Sequence, residues 1–254
     1  MSKRKRALIT GASSGIGREF AFKLATLGYD IVAVARRGDL LDSLSVELGV
    51  FGAQTQVVVA DLSTRAGVQS VIEAAHEIDF LVLNAGITRA AKVGTMPHDE
   101  ISRLNLLLAT GVVDVCEAVI PQMVHRNSGD IVIVSSIAAF IPMPKSAIYA
   151  ATKTYVMSYG RSLSIELKKS DVRVCVVCPG YVRTDLHGQA GLSHLRDRVP
   201  SWLWVEKHDV VSSAFRGLKK NKSVVVPGLV YRLARPFLGS ALAQSIWRRT
   251  TKRN

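Results

Sequence analysis

Leu8-Ile-Thr-Gly-Ala-Ser-Ser-Gly-Ile-Gly17 places three glycines between a short apolar run, Arg6–Thr10, and an amphipathic segment, Gly15–Leu27. A strand that passes into a helix through such a turn offers an anion the unpaired N–H groups of the helix N-terminus. Gly11 can turn sharply, Gly15 lets the backbone approach a pyrophosphate, and Gly17 lets the helix lie close to the sheet. Ser13, Ser14 and Ile16 fill the rest of the turn. Its spacing, G-x-x-x-G-x-G, differs from the G-x-G-x-x-G fingerprint. Ordinary turns need glycine as well, so it is the position directly after the first strand that reads as a nucleotide site.

The remainder alternates β-branched runs with longer amphipathic segments, the pattern of a parallel sheet covered by helices on both faces. Strands are predicted at Arg6–Thr10, Asp30–Ala35, Gln54–Ala60, Phe80–Asn84, Asp130–Ser136, Val172–Cys178 and Ser223–Val226. Helices are predicted at Gly15–Leu27, Asp39–Leu48, Thr64–His76, His98–His125, Ala147–Lys169 and Lys207–Lys220. The fold class is therefore α/β: a Rossmann-like doubly wound parallel sheet of about seven strands in a single domain. Residues 1–5 form a basic N-terminal tail, and residues 187–205 lack periodicity and suit a substrate lid. Residues 228–254 form a basic helical extension that the fold does not require.

Bulk properties agree with an enzyme-sized globule: 254 residues, 48% hydrophobic and 21% charged, neither disordered nor too small to bury a core. No continuous apolar run reaches the ~20 residues that span a bilayer. The apolar stretch after basic residues Lys3–Arg6 is too short for a signal peptide, so a cytoplasmic location is expected. Cys175 and Cys178 have CxxC spacing but sit in a strand, where positions three apart face opposite ways; they read as core rather than as a metal or redox pair. The histidines form no HxxxH and no cluster with carboxylates, so no metal is expected. The net charge is +13, and from Gly191 onward thirteen Lys/Arg face three acids. Such a field favours anionic partners.

The second strand ends Ala35-Arg36-Arg37 with no carboxylate. NAD-binding folds usually place Asp or Glu there for the ribose 2′-hydroxyl. Guanidinium groups pair instead with a 2′-phosphate, so NADP(H) is the expected cofactor.

Thr10-Gly-x-x-x-Gly-Ile-Gly17, Asp61-Leu62, Asn84-Ala-Gly86, Asn105, Ser136, Tyr149-x-x-x-Lys153 and Pro179-Gly180 follow one another over Lys5 to Leu186. In order and spacing this set resembles the short-chain dehydrogenase/reductase superfamily. Two departures are visible: Leu83 precedes Asn84 where many members carry a second Asn, and Ser14 stands where some NADP members carry a basic residue. The residues support the chemistry independently. Tyr149 and Lys153, four apart on a helix, share one face. A nearby ammonium stabilises a phenolate and brings the tyrosine towards working pH.

The resemblance implies that Tyr149 exchanges a proton with a carbonyl oxygen, that Ser136 holds that oxygen, and that Lys153 also binds the nicotinamide ribose. It implies that Asn105 bends its helix and holds a water relaying protons to the lysine. It places Asp61 and Leu62 at the adenine, and Asn84, Ala85 and Gly86 along the cofactor. Pro179, Gly180, Val182 and Thr184 fall by the nicotinamide. It further implies a homodimer or homotetramer assembled through His98–His125 and Ala147–Lys169.

The loops Gly86–Met96, Ser136–Ala147 and the segment after Gly180 supply Ile87, Val93, Met96, Ile137, Phe140, Ile141, Met143, Tyr181, Leu186, Leu192, Trp202 and Trp204. Few fixed charges stand among them, which suits a lipophilic or aromatic ketone interconverted with its alcohol; a 3-oxoacyl thioester is the alternative. A non-catalytic scaffold on this fold predicts loss of Ser136, Tyr149 or Lys153, and all three are present. The basic tail shows no nucleic-acid recognition motif. Leu229, Leu233, Phe237, Leu238, Ala241, Leu242 and Ile246 lie at roughly helical spacing, with Arg232, Arg235, Arg248, Arg249, Lys252 and Arg253 beside them. Two readings stay open: a helix packed on its own domain or a partner subunit, or an interfacial helix in peripheral contact with anionic lipid.

Overall fold

The computed structural model describes residues 4–183 and 199–237. Among the described residues nine strands follow one another as β1 (Arg6–Thr10), β2 (Asp30–Ala35), β3 (Thr55–Val59), β4 (Ile78–Leu83), β5 (Gly129–Val134), β6 (Val172–Val177), β7 (Tyr181–Val182), β8 (Trp204–Val205) and β9 (Val224–Val225). Seven form one sheet in the order β3-β2-β1-β4-β5-β6-β9, and every pairing in it is parallel. The central strands are near-continuous Val, Ile and Leu because both faces are covered; β5 is buried at every position. β3 lies at the edge, and Val59 at its end is exposed.

The helices are α1 (Gly15–Thr26), α2 (Gly38–Gly49), α3 (Arg65–Ala74), α4 (His98–Asn105), α5 (Gly111–His125), α6 (Ala147–Glu166), α7 (Lys207–Lys219) and α8 (Leu229–Ala234). α1, α2 and α7 pack together on one face, and α3, α5 and α6 on the other. Strand order therefore reverses between β1 and β4, opening a crevice at their carboxyl ends. α4 and α5 are joined by a π-helical turn, Leu106–Thr110, into a rod of 28 residues, His98–His125. By length and hydropathy alone this rod could span a bilayer. Here it lies against β4, α3 and α6 as part of the helical layer.

Cys175 and Cys178 face opposite sides of β6. A Cβ on Gly217 of α7 would meet Cys175 Sγ, whereas the Cys178 thiol meets Ser135 on the α6 side. Both are buried free thiols.

Two features differ from the expectations. β7 and β8 form a separate two-stranded parallel ribbon, Tyr181 opposite Trp204 and Val182 opposite Val205. Each is too short for a two-residue period to register. In the C-terminal extension, Leu229, Leu233 and Phe237 of the supposed packing stripe are 61%, 65% and 67% exposed, and it is Tyr231 that is buried. The described part of the extension, residues 228–237, packs on its own domain through this tyrosine. The stripe from Leu238 onward, and most of the expected lid, lie outside the described residues.

Candidate active site

A cleft of about 330 Å³ opens along the carboxyl ends of β1, β2, β4, β5 and β6. Its wall includes the expected Gly11, Ser13, Ser14, Gly15, Ile16, Arg36, Arg37, Asp61, Leu62, Asn84, Ala85, Gly86, Ser136, Tyr149, Lys153, Pro179, Gly180 and Val182. Thr184 lies outside the described residues.

At one end the glycine turn is held by β4. Thr10 Oγ1 accepts from the backbone N–H groups of Asn84 and Ala85 at 2.9 and 3.0 Å. The Asn84 amide returns a bond to the Thr10 carbonyl at 3.0 Å. Gly11 has φ +69, and a Cβ on Gly17 would run into the Gly11 carbonyl and the Asn84 amide. Gly17 thus lets the start of α1 lie directly against the ends of β1 and β4. A Cβ at either position would disturb the packing that shapes the turn, whose Gly11, Ser13, Ser14, Gly15 and Ile16 line the cleft at the N-terminus of α1.

Arg37 folds back over this turn, and its guanidinium donates to Ser13 Oγ at 3.0 Å and Ser14 Oγ at 2.9 Å. Two hydroxyls and a guanidinium therefore converge beside Arg36. Burial pushes the Asp61 carboxyl up. The amide and hydroxyl of Ser63, with Arg36 and Arg103 nearby, outweigh it and hold the pKa below the usual range. Asp61 stays a carboxylate that accepts from Ser63 N at 3.0 Å and Ser63 Oγ at 2.8 Å. Thr64 separately caps α3, accepting from Gly67 N at 3.0 Å.

At the other end, Ser135 and Ser136 follow β5. Ser135 Oγ donates to the Lys153 carbonyl at 2.7 Å and so pins α6 to the sheet. Ser136 Oγ accepts from Ala138 N at 3.1 Å and caps the 3₁₀ turn Ile137–Phe140. Lys153 is buried; its ammonium donates to the Val134 carbonyl at 3.0 Å and lies 5.8 Å from the centre of the half-buried Tyr149 ring. Burial pulls this amine down to about 8. A phenol, a neighbouring amine and a hydroxyl thus share the cleft wall, an arrangement chemically able to protonate an oxygen and hold it in place.

Asn105 is not part of this arrangement. It is the last residue of α4, exposed and absent from the cleft wall. The π-helical turn that follows carries an extra residue and re-aims the rod. Leu107 lines the cleft, and Leu108 faces the amine: a Cβ on Gly86 would lie 3.1 Å from Leu108 Cδ2 and 3.7 Å from Lys153 Nζ. The structure thus places the bend expected at Asn105 directly after it but keeps that side chain off the cleft wall. A lone Asn near the right place in the chain could not reveal the change of helical register.

Of the expected substrate wall, Ile87, Ile137, Met143 and Tyr181 line the cleft. Val93 and Met96 line a second cavity of about 200 Å³ on the far side of Tyr149. Phe140 and Ile141 pack against the core instead, Trp204 packs at a tilt against Tyr181, and Trp202 is exposed. Leu186 and Leu192 lie outside the described residues. Three contributors carry no signal, or only an indirect one, in the sequence: the Thr10 hydroxyl as a hub, Arg103 at 3.6 Å from Asp61, and Tyr231 behind Gly180. Among the described residues no group of three His, Cys, Asp or Glu could hold a metal ion.

With this geometry in place, residues 5–193 match the family model for short chain dehydrogenase. The oxidoreductase UcpA of Salmonella typhimurium is 36% identical over 187 residues, covering 72% of this chain and 71% of that protein. A short-chain dehydrogenase from Sphingobium yanoikuyae, solved in complex with NADPH, superposes with a TM-score of 0.84 at 30% identity, covering 98% of each chain. The bulky-bulky ketone specific alcohol dehydrogenase from Comamonas testosteroni gives 0.80 at 26% identity, covering 100% of this chain and 96% of that one. The chain belongs to the short-chain dehydrogenase/reductase family. It is an oxidoreductase.

Proposed function

We propose that the protein is an NADP(H)-dependent reductase of lipophilic or aromatic ketones, with Tyr149 as the proton donor. The observation that carries this reading is the juxtaposition of Ser136, Tyr149 and the buried Lys153 on one cleft wall, facing an apolar end made by Ile87, Ile137 and Met143. The glycine turn, Asp61 and Asn84 would hold the dinucleotide. Arg36, Arg37 and the Ser13 and Ser14 hydroxyls would hold its 2′-phosphate. The bound cofactor supplies the hydride. Ser136 steadies the carbonyl oxygen as negative charge grows on it, and Tyr149 passes its proton to that oxygen. Lys153, when charged, stabilises the phenolate left behind. The NADPH complex of the Sphingobium protein and the ketone preference named for the Comamonas enzyme point the same way.

A panel of ketones and secondary alcohols, followed by NADPH absorbance beside NADH, tests the proposal. Bulky aryl and alicyclic ketones should turn over with NADPH. Turnover confined to sugars or carboxylic acids, or equal use of NADH, would overturn it.

A further inference from the structure

We propose that Tyr231, seconded by Arg235, is a positioning residue for the substrate end of the cleft and sets which ketones it admits. Tyr231 is distant in sequence from every catalytic residue. Gly228, at φ +84, turns the chain into α8, and the Tyr231 ring enters the protein directly behind Gly180. A Cβ on Gly180 would overlap that ring, so glycine there and tyrosine here are matched in shape. The hydroxyl is fully used: it accepts from the backbone N–H of Tyr181 at 3.2 Å and donates to the Leu203 carbonyl at 2.8 Å.

These two bonds join the two parts of the small ribbon. Gly180, Tyr181 and Val182 form cleft wall. Leu203 adjoins Trp204, whose ring packs at a tilt against Tyr181 with centroids 5.7 Å apart and whose strand pairs with Tyr181–Val182. The wall at the substrate end is a two-residue pairing, too short to hold itself, and Tyr231 ties both sides to the body of the domain. The same segment also reaches the far end of the 3₁₀ turn that Ser136 caps. The Arg235 guanidinium lies 5.4 Å above the ring of Phe140, the last residue of the 3₁₀ turn that begins beside Ser136. Burial also pushes the Tyr231 hydroxyl up to about 12, so it remains a neutral donor across the working range.

Tyr231→Phe keeps the ring and deletes both bonds. The substrate-size reading rests on the proposed ketone reduction, so the experiment has an arm that does not. In hydrogen exchange of the cofactor-free protein, the Tyr181 amide should exchange at least about fivefold faster, the scale of one lost hydrogen bond, with the Ala12–Gly17 amides unchanged. In kinetics, KM for bulky ketones should rise at least about threefold with kcat nearly constant, the preference for bulky over small ketones should fall, and NADPH affinity should hold. Arg235→Ala, an exposed site at no risk of unfolding, should move selectivity the same way by less.

Faster exchange without a change in selectivity would make Tyr231 merely structural and overturn the proposal. Unchanged exchange at Tyr181 would overturn it too. If Tyr231→Phe does not fold, the Arg235→Ala selectivity decides. If the parent reduces no ketone, the proposed function fails; the exchange arm still tells whether Tyr231 holds the wall, and unchanged exchange would overturn that as well.

Discussion

Lys153→Met separates the cost of the active site from its use. Burial lowers the amine from 10.5 to about 8, which at ~1.4 kcal/mol per tenfold change in proton affinity corresponds to ~3 kcal/mol. At pH 7 both folded and unfolded chains carry the proton, so the folded protein bears that whole penalty. Between pH 8 and 10.5 the folded chain has released its proton while the unfolded chain keeps it. The unfolded state then binds more protons, and the contribution of this group to stability rises with pH. Methionine fills a similar volume without charge. It strands the Val134 carbonyl, which accepts from Nζ at 3.0 Å, at a cost of ~1 kcal/mol. The net expectation is a cofactor-free Lys153→Met protein ~2 kcal/mol more stable than the parent at pH 7. That advantage should shrink by ~2 kcal/mol by pH 9.5, at ~1.4 kcal/mol per pH unit above 8. Urea unfolding of both proteins at the two pH values measures it, and the difference between them cancels the titrating groups that do not interact with Lys153. A variant less stable at pH 7, or a difference indifferent to pH, would refute the reasoning. Turnover should be lost regardless, as stability gained at a strained functional group is commonly set against activity.

Tyr149→Phe should retain fold and NADPH affinity while kcat drops at least ~10², the scale of general acid catalysis; normal turnover would move the proton donor elsewhere. Arg36→Ala combined with Arg37→Ala should abolish a preference for NADPH of at least tenfold in kcat/KM, ~1.4 kcal/mol, as read by parallel NADPH and NADH kinetics. Asn105→Ala should change kcat less than about twofold, the ordinary range of an exposed substitution. A tenfold fall in steady-state kcat would return that residue to the proton path.

The cofactor half of the site is legible in the sequence for a physical reason. Its parts are backbone conformations and strand ends, and these leave local marks: Gly11 with positive φ, Gly17 against the Gly11 carbonyl, two arginines at the end of β2. Runs of Val and Ile fix the strands, and the helix pattern between them fixes a parallel order. The predicted ends of β5 and β6 run one or two residues past the observed Val134 and Val177, where the ladder thins to single bonds, from Ser135 N to the Val177 carbonyl and from Cys178 N to the Val225 carbonyl, both 2.8 Å. Such boundaries are set by pairing rather than by residue type.

The substrate half obeys different physics, and there the sequence says least. Asn105 lies off the cleft wall, where Leu107 stands instead, because a π-helical turn shifts which side chains face the cleft, and one inserted residue per turn has no residue signature of its own. Tyr231 is invisible because its partners, Gly180, Tyr181 and Leu203, lie 28 to 51 positions away and are met through backbone groups. Within the tail it occupies no position of the apolar stripe, so amphipathic spacing points to Leu229, Leu233 and Phe237, which face outward. The division has a functional consequence. A dinucleotide is gripped by local backbone geometry that any chain with this motif reproduces. On the proposal made above, the substrate is met by walls braced from a distant segment, so a substitution in that segment should alter substrate choice while leaving every motif residue in place.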